Sequence, residues 1–278
     1  MKTQKIILFA ALVFASLNTF AQGPWTKGKG KGYFQVGLSS FFYDKIKLEG
    51  KDVDLAVDVS DITTQVYAEY GLTDKFDLSL GLPIKSFSVK NKITSNSQSV
   101  SGLGNVSFGL KYKFYDADWK IAAGLQYSGN TATKNKDNDL RTGFGANTYL
   151  PYVSAGKSHG KMYYFANIGY GYMSNEYTDF FKVGGEFGYK FLQNTHAILN
   201  LEIHAPLGEE AYFKTLDNLF SSQISNFNDK QSFFAIGLKI NHEFVAEKFG
   251  ANLGAIGAFS QDNLPPAKTI NLGVYYKL

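Results

Sequence analysis

The sequence predicts an all-β fold, a single closed antiparallel transmembrane β-barrel of about 12 strands with up-and-down topology. Aromatic residues bracket short polar turns: Tyr70 and Phe76 flank one, Phe114 and Trp119 the next, Phe244 and Phe249 a later one. Between such pairs run stretches of roughly ten residues in which apolar side chains alternate with small or polar ones, the period of a strand with two different faces. Connections alternate long and short along the chain, as they do when tight turns gather at one end of a barrel. Rings at strand ends with aliphatic residues between them suit a wall that meets water at both edges of a bilayer.

The first 21 residues stand outside this pattern. Lys2 and Lys5 precede an apolar run, Ile6 to Leu17, too short to span a membrane as a helix, and Thr19-Phe20-Ala21 ends in a small residue. That is the layout of a signal peptide, 1–21, cleaved before Gln22, with 22–278 as the barrel domain and export to the cell outer membrane. The chain has no cysteine, which excludes a lipidated N-terminus, disulfides and thiolate chemistry. Of 28 basic and 24 acidic residues, two lysines belong to the leader, so the remainder is nearly neutral and carries no nucleic-acid footprint. Modest hydropathy is no objection to membrane insertion, because a barrel strand needs an apolar residue only at every second position.

Each strand shows the alternation. After a Gly/Lys lead-in (Trp25 to Gly32), the first (33–43) carries Phe34, Val36, Leu38 and Phe42 on one face. The second (62–71) sets Ile62, Val66, Ala68 and Tyr70 against Thr63, Gln65, Tyr67 and Glu69. The third sets Phe76, Leu78, Leu80, Leu82 and Ile84 against Asp77, Ser79, Gly81 and Lys85. In the fourth, Phe108, Leu110, Tyr112 and Phe114 oppose Lys111 and Lys113; the fifth carries Trp119, Ile121, Ala123, Leu125 and Tyr127. The sixth (142–155) contains Pro151, which cannot donate to a ladder and predicts a bulge.

Strand seven presents Met162, Tyr164, Ile168, Tyr170 and Tyr172, and strand eight opposes Phe181, Val183, Phe187, Tyr189 and Phe191 to Lys182, Glu186 and Lys190. Strand nine opposes Leu199, Leu201 and Ile203 to Asn200, Glu202 and His204, and strand ten opposes Phe234, Ile236, Leu238 and Ile240 to Lys239, Asn241 and Glu243. Strands eleven (Phe249 to Phe259) and twelve (Ile270 to Leu278) complete an even number. Expected long loops are 44–61, 87–102, 129–141, 205–231 and 260–268, with both termini on the periplasmic, short-turn side.

These faces assign two sets of residues. Tyr70, Phe76, Phe114, Trp119, Phe191, Phe244, Phe249 and Tyr276 are the expected membrane girdle, against outer-membrane lipid. Glu69, Asp77, Lys85, Lys111, Lys113, Lys182, Glu186, Lys190, Glu202, His204, Lys239 and Glu243 are the candidate lumen lining, paired across strands into a network that constricts the pore. Twelve strands lie between the filled eight-stranded barrel and the wide sixteen-stranded porin, so a narrow lumen is expected.

Catalysis has little support. The chain has four histidines, and none has a serine two residues along the same strand face; His159 lies in a tight turn and His242 on the outer face. No catalytic residue, metal ligand set or cofactor is assigned. The acidic stretch Asp52, Asp54, Asp58 and Asp61 lacks the glycine and spacing of a calcium loop, and its alternation with Val53, Leu55, Val57 and Val59 reads as a strand projecting above the membrane. Glu202 and His204 read as polar lumen, with a proton-sensitive gate as the alternative. In 205–231, Tyr212, Phe213, Leu216, Leu219, Phe220, Gln223 and Ile224 recur at helical steps, predicting an amphipathic helix at the mouth.

Two segments resemble a known family. They are Tyr70-Gly71-Leu72-Thr73-Asp74-Lys75-Phe76-Asp77-Leu78 with Gly81-Leu82-Pro83, and Ser101-Gly102-Leu103-Gly104-Asn105-Val106 running into Gly109-Leu110-Lys111-Tyr112-Lys113-Phe114. They resemble the outer-membrane barrel family associated with meta-pathway phenol degradation. The resemblance implies an uptake-type channel for a small aromatic or otherwise hydrophobic solute and supplies no catalytic residues. The expected partners are lipid, the barrel-assembly machinery and that solute; a non-transporting structural or adhesion barrel and a lipid-modifying enzyme are the alternatives.

Overall fold

The computed structural model describes residues 23–48, 50–138, 140–207, 231–262 and 264–278. Thirteen strands follow in chain order: β1 (Gly32–Leu48), β2 (Lys51–Gly71), β3 (Phe76–Asn91), β4 (Ser97–Leu103), β5 (Ser107–Asp116), β6 (Lys120–Ser128), β7 (Thr148–His159), β8 (Met162–Met173), β9 (Phe180–Leu192), β10 (Thr195–Pro206), β11 (Ser232–Val245), β12 (Phe249–Asp262) and β13 (Lys268–Lys277). All pairings are antiparallel, and β1 pairs with β13 from Tyr33↔Lys277 to Phe41↔Thr269, closing the ring. Twelve strands make the closed wall, and β4 is an additional short strand on the upper half of β3. A closed wall leaves no open sheet edge in hydrocarbon.

The outward face is mostly apolar, with Ser40, Thr64 and His242 among its few polar residues. The eight expected girdle aromatics are all exposed, from Phe76 at 37% to Phe244 at 59%. They encircle the short-turn end. A second set at the long-loop end includes Phe42, Tyr149, Tyr172, Phe181 and Phe259. On β12, Phe249 and Phe259 bracket Ala251, Leu253 and Ala255; ten residues at the usual rise and tilt separate them by about 25 Å along the barrel axis, the height of a membrane-facing band.

Several expectations need correction. Residues 44–61 and 87–102 are not loops: β1 and β2 continue into a 17- and 21-residue ladder, and β3 continues to Asn91 before returning as β4. A tilted strand needs only about ten residues to cross a bilayer, so these hairpins project beyond it. The sixth expected strand begins at Thr148, not 142. Pro151 makes no bulge: Tyr149↔Tyr172 and Tyr152↔Gly169 share one register, and the missing N–H only interrupts the ladder between them. Register shifts occur elsewhere, between Tyr43 and Lys45 on β1 and between Lys113 and Tyr115 on β5. The leader and the helical pattern from Tyr212 to Ile224 lie outside the described residues.

Candidate functional site: a lumen in two zones

The inward face changes chemistry along the axis. On β1 the inward positions run Tyr33, Gln35, Gly37, Ser39, then Phe41, Tyr43 and, past the register shift, Ile46. On β2 they run from Glu69, Tyr67, Gln65, Thr63 and Asp61 up to Val59 and Val57. The lower lumen is therefore polar and the upper lumen apolar.

In the lower zone the charged side chains are paired. Lys111 Nζ lies 2.8 Å from Glu69 and 3.5 Å from Asp77, which faces it directly in the β3–β5 register. Lys85 holds Asp61 at 2.8 Å with both side chains 3% exposed, and Thr63 Oγ1 donates to the same carboxylate. Lys239 pairs with Glu186 at 3.6 Å and Lys277 with Glu243; higher up, at the border with the apolar zone, Lys182, opposite His204, pairs with Glu202, opposite Ala235, at 3.2 Å. Tyr163 Oη donates to Glu186 at 2.5 Å. Buried charges of both signs compensate one another here, because an unpaired charge in this setting would be far more costly.

The other assigned residues sit as follows. Lys113 reaches down to Asp116 at 2.6 Å, away from the pore centre. Lys190 lies on the inner face opposite His196. Glu202 and His204 do not pair with each other. Glu202 goes to Lys182, while the His204 ring is sandwiched between Phe180, at 4.3 Å, and Phe233, at 5.2 Å and nearly parallel. His204 thus belongs to the apolar zone. Of the acidic stretch, Asp52, Asp54 and Asp58 are exposed, whereas Asp61 turns inward to Lys85. His159 is exposed and His242 hydrogen-bonds Thr195 at 2.8 Å on the outer face.

The lead-in before β1 is a lumenal element. Gly23 and Pro24 approach Phe165 and Gly156, and the Trp25 ring meets Tyr163 and Phe165 edge-on at 5.8 Å each. The segment then crosses to β2 and β3, where Lys27 N–H donates to both Asp77 carboxylate oxygens (3.1 and 3.0 Å) and Lys27 Nζ meets Glu69 at 2.9 Å. Thr26 and Lys29 fasten it to Asp74. The sequence signal was an isolated Pro24-Trp25 inside an otherwise Gly/Lys stretch: an indole there needs something to pack on.

The upper zone also went unread. Phe41, Tyr43 and Ile46 of β1, Val57 and Val59 of β2, and Phe87 and Val89 of β3 form one buried apolar cluster with residues of β4, β11 and β12 and with Leu140 and Leu264. The signal was the loss of polar residues from the inward parity above Ser39 and Asp61. Part of this wall is not strand. Above Ser128 the segment 129–147 fills the space between β4 and β7, held by Asn105, whose Nδ2 donates to Gly129 O (2.7 Å) and Phe144 O (2.9 Å) while Oδ1 accepts from Phe144 N–H (2.6 Å). Thr133 N–H donates to Leu103 O at 2.9 Å, adding a rung to the free edge of β4. A side chain at Gly143 would place its Cβ 2.2 Å from Asn105 Oδ1, so the clamp requires glycine there.

A closed twelve-strand antiparallel barrel with an apolar outer belt and a polar-to-apolar interior has the form of an outer-membrane β-barrel. Residues 21–265 match the family described as "Putative MetA-pathway of phenol degradation", and the chain belongs to that family. Among solved structures it is similar to an outer membrane channel from Pseudomonas putida F1 (16% identity, 90% of this chain and 96% of that one, TM-score 0.71). It is also similar to the NanC porin (11% identity, 88% and 100%, TM-score 0.55) and to the translocator domain of the autotransporter NalP from Neisseria meningitidis (10% identity, 90% and 88%, TM-score 0.50). At these identities the likeness concerns the fold. No curated protein sequence matches the chain. The two family-like segments hold the non-strand parts in place: Asp74 and Asp77 anchor the N-terminal segment, and Asn105 anchors 129–147.

Proposed function

We propose that the protein is a passive uptake channel for a small aromatic or otherwise apolar solute, with the long-loop end extracellular and the short turns and both termini periplasmic. One observation carries the reading: the interior is apolar at the long-loop end and becomes polar and ion-paired toward the short turns. A packed apolar constriction at that end of the lumen favours passage of an apolar solute over a charged one. A solute with little polarity gains desolvation there before it meets the charged zone. The family's link to phenol degradation supports an aromatic solute.

The N-terminal segment bridges the lumen wall from β8 to β2 and β3 and narrows the periplasmic exit. Its anchors are two aromatic contacts, the Lys27–Glu69 ion pair and hydrogen bonds to Asp77 and Asp74. We read the barrel as non-enzymatic, assembled by the barrel-assembly machinery after signal-peptide cleavage. The alternative of a non-transporting scaffold draws on the paired charges that crowd the lower lumen. Expression in a Gram-negative host and the rate of entry of phenylnaphthylamine, an aromatic dye that an intact outer membrane retards, separate the two. Faster entry with the wild-type barrel supports the channel; an unchanged rate in cells with folded barrel contradicts it.

A further inference from the structure

Between the apolar cluster and the charged zone, against β1, β2 and β10–β13, lies a cavity of about 60 Å³. Its polar lining is mostly carboxamide, from Gln35, Gln65, Asn200, Asn252 and Asn271, with Ser39, Tyr67 and Lys239 beside them. Ile256 belongs both to this lining and to the apolar cluster, so the cavity borders that cluster. The volume suits about four waters, at about 15 Å³ each, or the polar head of a small solute.

We propose that this cavity is a head-group subsite that selects a neutral, hydroxyl-bearing amphiphile, with the hydroxyl among the carboxamides and the apolar body turned toward Ile256 and the apolar cluster. The proposal rests on the channel reading and adds the class of solute to it. Carboxamides offer donors and acceptors without net charge. Lys239 is the charged residue in the lining, and Glu186 already faces its ammonium at 3.6 Å. A carboxylate or ammonium head would enter without an available counter-charge, which desolvation penalises heavily.

The amides are also pre-set. Gln35 Oε1 accepts from Tyr33 Oη (2.5 Å) and from Asn252 Nδ2 (3.2 Å), fixing two of them. At Gly273 a Cβ would come within 2.8 Å of Gln35 Nε2 and 3.0 Å of Asn252 Oδ1, so the bare backbone leaves this pair its place. Asn200 Oδ1 is buried and has no hydrogen-bond partner among the described residues. An orphaned acceptor in a cavity wall is satisfied by a donor, which an alcohol supplies and a carbonyl or carboxylate does not.

Isothermal titration of the mature, detergent-solubilised protein with 1-hexanol and with hexanoate tests this, with folding of every variant checked by its heat-dependent gel shift. Hexanol should bind about tenfold or more tightly than hexanoate, and Asn200→Leu should weaken hexanol binding about tenfold. Ser39→Leu, which fills the cavity and leaves every carboxamide in place, should do the same. Equal affinity for the two probes, or wild-type preference in both folded variants, overturns the subsite. Planar-bilayer current is recorded on the same preparations. Absence of current with the hexanol preference intact removes the channel reading and leaves the subsite standing; current without the preference does the reverse.

Discussion

Glu69 is held from two sides: Lys111 Nζ at 2.8 Å from one carboxylate oxygen and Lys27 Nζ at 2.9 Å from the other. Lys111 belongs to the wall and Lys27 to the segment that crosses the lumen, so one buried carboxylate joins the two. The partners are unequal, because Lys111 is almost fully buried whereas a third of the Lys27 side chain is exposed. Lys27→Ala should therefore loosen the segment at Glu69, with its Asp77, Asp74 and Trp25 contacts left in place, and have little effect on barrel stability. Single-channel recording should show larger or more frequent open events than in the wild type. Unchanged current would mean the segment does not limit the pore.

Glu69→Gln is a different experiment. It leaves Lys111 buried beside Asp77 alone, and breaking a buried ion pair from one side costs about 3–5 kcal/mol. Equilibrium unfolding in guanidinium should show that loss, whereas Lys27→Ala should not.

Asn105 makes three hydrogen bonds to the 129–147 segment. At about 1 kcal/mol each, Asn105→Ala should cost the segment roughly 3 kcal/mol of local stability. Limited proteolysis should then cleave between residues 129 and 147 faster than in the wild type, with the transmembrane strands left intact. Equal cleavage rates would show that Thr133 and the β4 edge hold the segment unaided.

The two faces of a strand should respond oppositely to charge. Leu253 is outward on β12 and 57% exposed to what is read as lipid. Leu253→Arg should cost about 2–4 kcal/mol of folding into bilayers, as measured by refolding titrations in lipid vesicles. Asn252→Arg, one residue away and inward, should fold with a much smaller penalty.

Much of this architecture was legible in the sequence, and the reason is local. Every strand's outward parity is set by an unbroken series such as Phe76, Leu78, Leu80, Leu82 and Ile84, and a shift of one residue would expose Asp77 and Lys85 to hydrocarbon. The lumenal charges followed from the same parity. What escaped was whatever depended on contacts across the interior. Phe41 and Val59 share a parity with Ser39 and Asp61, and only closure of the barrel shows them meeting Phe87, Phe233 and Leu264. Trp25 precedes the first strand, and its packing on Tyr163 is a contact across 138 positions of sequence that no period reports. Within 44–61 the alternation of Val53, Leu55, Val57 and Val59 with the acids does predict the projecting strand that the structure has; what it does not show is that this strand runs on without a break into 62–71. Asp61 shows the other side of that: its partner Lys85 lies on the next strand, opposite Thr63 and two residues from the position that faces Asp61.

The division of the interior is most directly measured on β1, and the absence of cysteine in the chain makes single-cysteine substitution clean. Each position from Gln35 to Tyr43 is replaced in turn and the vesicle-reconstituted protein is challenged with a water-soluble thiol reagent and a lipid-borne quencher. The expected result is three classes: lipid contact at Val36, Leu38 and Phe42, water access at Gln35, Gly37 and Ser39, and protection from both at Phe41 and Tyr43. Aqueous labelling at Phe41 and Tyr43 as fast as at Ser39, or lipid contact at both parities, would contradict an apolar zone above a polar lumen.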